Sequence, residues 1–146
     1  MQPTNAYAPP VPHGPRAYRR RIRAFGPVVG LLPPGALGLI AMLLLRNNTT
    51  STVHGVAGFL TAVLAAPGLL VGGAPLAGGG MYVAAVAGST LVWLLLGTAA
   101  ARRATSTPVA TWGDFWKEYL SLAGAIWLGT VAALVAANLI LGGAFL

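Results

Sequence analysis

Leu120 to Leu146 contains no charged residue, and this uninterrupted run restricts what the chain can fold into more than any other feature. As an α-helix rising ~1.5 Å per residue, its 27 positions reach about 40 Å. The hydrocarbon core of a bilayer is roughly 30 Å thick, so the segment is long enough to cross it. Three further apolar runs precede it, at 25–45, 53–71 and 81–101. The chain is 56% hydrophobic and 8% charged, against about 25% charged in soluble domains. Water could not solvate the surface that such a chain would expose. The expected fold class is therefore an all-α integral membrane protein, with a four-helix transmembrane bundle over residues 25–146.

The last span, 120–145, is introduced by Thr111-Trp-Gly-Asp-Phe-Trp-Lys-Glu-Tyr119. Trp112, Phe115, Trp116 and Tyr119 follow i, i+3, i+4, i+7 spacing, which puts the four rings on one helical face. Trp and Tyr combine an apolar body with a polar tip and favour the membrane interface. This pattern predicts an interfacial aromatic anchor over 112–119. Thr111, with Asp114 three residues on, predicts a capping box in which Asp replaces the usual Glu.

Residues 1–24 differ from the rest. Five prolines fall within the first fifteen positions, which reads as a disordered or polyproline-II tail. Arg16, Arg19, Arg20, Arg21 and Arg23 then supply five of the nine cations. Tyr18, Ile22 and Phe25 lie among them at helical spacing, giving a short basic amphipathic approach to the membrane. Each such arginine contributes about 1 kcal/mol of attraction to an anionic leaflet. Lipid headgroups and topology explain the cluster better than nucleic acid does, because Tyr18 is the only aromatic interleaved with the arginines and a span follows at once. No nucleic-acid partner is expected.

By the positive-inside rule these five arginines place the N-terminus in the cytoplasm. Four spans would return the C-terminus to the same side. Arg46, Arg102, Arg103 and Lys117 would then all lie outside, an unfavourable split of five to four. If the Pro33-Pro34 segment entered and left on one side, all nine cations would lie inside. Because 21 uncharged residues, Phe25 to Leu45, are enough to cross, four spans remain the expectation. Arginine outnumbers lysine eight to one, a coding bias that suggests a bacterial plasma membrane.

Helices in lipid associate through close backbone approach, so small residues four apart mark packing faces. Ala57, Thr61 and Ala65 form one such stripe, and Gly58, Ala62 and Ala66 form its neighbour. Ala125, Gly129, Ala133 and Ala137 form the longest, and this one is expected to meet another helix.

Little chemistry is available. There is no cysteine and there are two histidines, so thiolate chemistry and histidine-rich metal sites within one chain are excluded. Asp114 and Glu118 are the only side-chain carboxylates. They share a helix face beside Lys117, where a solvated rim explains them better than acid–base catalysis. The spans hold no ionisable group at depth, where such groups mark function. Catalytic residues, bound metals and cofactors are not expected. Four short spans resemble the layout of small multidrug transporters, but the buried glutamate that those proteins use for proton coupling has no counterpart here. The expected role is a non-catalytic subunit or assembly partner of a membrane complex, with membrane lipids and other subunits or further copies as partners. The alternatives are an oligomeric, holin-like or uncoupled pore, and a lipid-binding protein that shapes membranes.

Overall fold

A computed structural model describes residues 15–46, 52–73 and 78–140. The Pro-rich tail and the last turn of the expected fourth span lie outside the described residues. All regular structure within them is helical: α1 (Pro15–Val29), α2 (Leu32–Arg46), α3 (Thr52–Ala65), α4 (Gly68–Val71), α5 (Gly79–Ala104) and α6 (Trp112–Ile140). Three stretches are long and apolar enough to cross a bilayer: Tyr18–Arg46, Gly79–Ala104 and Trp112–Ile140. These properties fit a multi-pass membrane helix bundle.

The first stretch is nearly continuous, with a break at Gly30 and Leu31. Pro33 and Pro34 cause it in a specific way. Proline has no N–H, so it is tolerated in the first turn of a helix, where no intrahelical acceptor is waiting. α2 accordingly starts at Leu32 and carries both prolines in that turn. The Leu31 N–H turns to the Val28 carbonyl at 3.0 Å, a tighter bond than the α-helical one, and the Gly35 N–H resumes the ladder on the Leu31 carbonyl at 2.9 Å.

α1 runs antiparallel to α5. Arg23 Nε donates to Thr105 Oγ1 at 2.9 Å, Gly26 faces Ala101, and Gly30 faces Gly97. This is a close helix crossing of the kind small residues permit. A Cβ added at Gly97 would come within 3.0 Å of both the Gly26 carbonyl oxygen and the Pro27 backbone. α6 returns antiparallel to α5, with Phe115 near the Ala101 level and Trp127 beside Trp93. The start of α1, the end of α5 and the start of α6 therefore meet at one end of the molecule. Ile22, Ala104, Ala110 and Phe115 are buried there.

α3 is shorter than the expected span over 53–71. Its 14 residues make about 21 Å of helix. It runs back along α2, with Gly58 against Leu44 and Leu45 and Ala65 facing Gly38, and it stops halfway along α5. Pro67 removes the next donor. The chain then turns, and α4 passes Ser89 and Ala85 toward the beginning of α5. Within the described residues, α3 therefore runs partway along α2 before the chain turns beside α5.

Candidate functional site

Two helix breaks leave specific carbonyls without donors, and the centre of the molecule is built around them. In an α-helix the carbonyl of residue i receives the N–H of residue i+4. Gly30 would look to residue 34, which is proline. Leu64 would look to Gly68, whose N–H instead donates to Ser89 Oγ at 2.9 Å. Ala65 would look to Leu69, whose N–H bonds the Ala66 carbonyl at 2.9 Å. Polar groups left unpaired away from water cost several kcal/mol each in lipid.

Three aromatic side chains supply the missing donors. Tyr119 Oη donates to the Gly30 carbonyl at 2.6 Å. Trp93 Nε1 donates to the Ala65 carbonyl at 2.8 Å, and Trp127 Nε1 to the Leu64 carbonyl at 3.2 Å. Their rings also touch each other: Trp93 lies 6.5 Å from Tyr119 and 6.0 Å from Trp127 between centroids. Tyr119 extends the cluster to Phe115 at 5.9 Å. Each ring fills space with its body and closes a helix end with its tip.

The sequence-derived residues divide among several environments. Phe115 and Tyr119 have 0% exposure and face α1 and α5. Trp112 and Trp116 are partly buried and pack edge-on against Phe115, at 5.5 and 5.4 Å. The four rings do share a face, and its centre points into the protein. Thr111 and Asp114 form the expected capping box: the Thr111 N–H donates to Asp114 Oδ2 at 3.0 Å and the Asp114 N–H to Thr111 Oγ1 at 3.2 Å.

The α3 stripes lie mainly against α2, with Gly58 on Leu44 and Leu45 and Ala65 opposite Gly38. Gly58 and Ala65 are buried, and Ala57, Thr61, Ala62 and Ala66 are half-buried. The α6 stripe lies elsewhere. Ala125, Gly129 and Ala133 are exposed, Ala137 is half-buried, and a Cβ at Gly129 would meet nothing within 4 Å.

Arg20, Arg21 and Arg23 are exposed on α1 and Arg19 is half-buried; Arg16 sits in the first turn of that helix. Arg102, Arg103 and Lys117 lie at the same end of the molecule, where Arg103 approaches Glu118 at 3.8 Å. Arg46 ends α2, at the opposite end of the Tyr18–Arg46 stretch.

The Ser and Thr hydroxyls along the spans are engaged within their own helices. The hydroxyls of Thr61, Ser89, Thr90, Thr98 and Thr130 each donate to the carbonyl four residues back, at 2.7–2.9 Å. No group of three His, Cys, Asp or Glu side chains gathers among the described residues. Compared with known protein families, with characterised proteins and with solved structures, the chain matches none.

Sequence reasoning missed the three aromatic donors. A signal was present for one of them: Pro34 withholds the N–H that would reach the Gly30 carbonyl, and Trp and Tyr carry donors on apolar bodies. The Leu64 and Ala65 carbonyls lose theirs only because the Gly68 and Leu69 N–H groups turn elsewhere after Pro67. The Gly26-x-x-x-Gly30 spacing was equally readable.

Proposed function

We propose that the chain is a non-catalytic multi-pass protein of the cell membrane that works as an assembly partner, joining a second transmembrane helix through α6. The contrast between two surfaces carries this reading. The Ser and Thr hydroxyls along the spans are bonded to their own helices, while Ala125, Gly129 and Ala133 on α6 stand open. Small residues in that arrangement let a neighbouring helix approach closely where lipid offers no hydrophobic drive. Among the described residues, the hydroxyls that could line a pore through one chain are engaged with their own helix backbone.

The natural absence of cysteine makes the test direct. Ala133→Cys, oxidised in native membranes, should form a cross-linked dimer or a covalent adduct with a neighbouring protein, and Gly129→Leu should abolish it. A monodisperse monomer in mild detergent, without adduct or co-purifying protein, would refute assembly through α6.

The orientation follows from charge. Eight of the nine cations lie at the end shared by α1, the end of α5 and the start of α6; Arg46 alone lies opposite. We read three crossings with α3 and α4 as a re-entrant hairpin, the N-terminus cytoplasmic and the C-terminus outside. This arrangement removes the five-to-four conflict that four crossings create. A C-terminal tag labelled from the cytoplasmic side would overturn it in favour of four crossings.

A further inference from the structure

A crevice of about 680 Å³ lies between α2 and α5 and is floored by α3 and α4. Its inner end is closed by Leu31 and Trp93, and Arg46 stands at its mouth. Fifteen residues of α2 separate these ends, about 22 Å at 1.5 Å per residue.

The glycines on this wall behave unlike those at the α1–α5 crossing. Gly26, Gly30 and Gly97 are filled by their neighbours. A Cβ at Gly35 would meet nothing within 4 Å, and one at Gly38 would meet only Ala65 Cβ at 3.9 Å. Here the small side chains leave space that no helix closes. Apolar walls without partner atoms forfeit their dispersion contacts, so in a bilayer the crevice takes an occupant.

The lining specifies its chemistry. Ser89 Oγ already donates to the Ala85 carbonyl and accepts from the Gly68 N–H, and Thr90 Oγ1 donates to the Val86 carbonyl. The remaining wall is apolar except for the Arg46 guanidinium. The chain's only two side-chain carboxylates, Asp114 and Glu118, sit at the opposite end. They cannot neutralise Arg46, whose guanidinium has no carboxylate partner among the described residues.

We infer that the crevice holds one acyl chain of an anionic phospholipid, with its phosphate on Arg46. The inference rests on the membrane reading but not on assembly through α6. A guanidinium pairs with phosphate through two parallel N–H···O bonds, and the crevice falls within the roughly 300–1,000 Å³ typical of small-ligand sites.

The test uses the full chain in nanodiscs of equimolar phosphatidylglycerol and phosphatidylcholine, extracted into mild detergent, with retained lipid measured by mass spectrometry. Wild type should retain one phospholipid per chain, enriched in phosphatidylglycerol at least several-fold over the bulk. Arg46→Gln, a surface change that spares the fold, should bring the ratio back to that of the bulk. Gly38→Leu should lower retention of both lipids. Gly129→Leu, in the α6 stripe, should change neither, which separates this inference from the assembly reading. Bulk-like lipid composition on the wild type, an unchanged ratio in Arg46→Gln, or a Gly35→Cys cross-link to a second copy would each overturn it.

Discussion

Tyr119→Phe removes one oxygen and keeps the ring, so it isolates the donor that closes the first helix break. The Tyr119 side chain has 0% exposure, and its hydroxyl bonds the Gly30 carbonyl at 2.6 Å. Interhelical side-chain bonds in membrane proteins average only about 0.6 kcal/mol, because the separated helices find other partners. That escape is closed here, since the natural partner of Gly30 is Pro34, which has no N–H whether the helices are packed or apart. The cost should therefore approach that of an unpaired buried acceptor, about 1–3 kcal/mol. A value near 2 kcal/mol lowers the folded-to-unfolded ratio roughly thirtyfold. Unfolding by SDS titration in mixed micelles, followed by tryptophan fluorescence, measures the difference. The decisive arm is Pro34→Ala, which restores an N–H four residues after Gly30. In that background Tyr119→Phe should cost at least about 1 kcal/mol less, a coupling typical of groups sharing one partner. A neutral Tyr119→Phe, or an equal cost in both backgrounds, would refute the reasoning.

Other expectations can be measured by the same titration. Trp93→Phe leaves the Ala65 carbonyl without its donor in a site 1% exposed, and should cost about 1–3 kcal/mol; a loss below about 0.5 kcal/mol would mean that another donor takes its place. Gly97→Val drives side-chain atoms into the Gly26 and Pro27 backbone, which cannot yield as a side-chain tip can. It should lose at least about 1–3 kcal/mol, and wild-type stability would remove the close crossing from the account. Arg103→Gln breaks an ion pair whose partners are 61% and 41% exposed, and should change stability by less than about 1 kcal/mol.

Hydropathy made three long apolar helices legible, because length and the absence of charge are properties of the sequence alone. It could not give their direction. An apolar segment that crosses and one that goes in and returns have the same composition, so 53–71 reads as a span. Pro67 with Gly68 announced a bend in its last turn. Which way the chain goes after the bend depends on Ser89, Trp93 and Trp127, distant in sequence and already placed by α5 and α6. Periodicity had the same limit. It grouped Trp112, Phe115, Trp116 and Tyr119 on one face and assigned that face to the membrane interface, whereas Phe115 and Tyr119 have 0% exposure inside the protein. The capping box was fully legible because it is local, its donors and acceptors lying within four residues. The small-residue stripes were legible as spacing only. The Ala125–Ala137 stripe meets no helix among the described residues, and the tightest crossing uses Gly26, Gly30 and Gly97.

In the membrane arrangement proposed above, the uneven placement of charge would also couple the molecule to the membrane voltage. At the crowded end, eight cations less two carboxylates leave +6, against +1 from Arg46 at the other. Exchanging the ends across an inside-negative membrane would move a net five charges outward, at about 2.3 kcal/mol per charge per 100 mV. If the proposed orientation holds, with the amino end in the cytoplasm, an energised cell would favour it by roughly 12 kcal/mol per 100 mV. The electric field would then act as a latch on orientation. Synthesis in cells whose voltage has been collapsed by an ionophore should be the condition in which inverted molecules first appear.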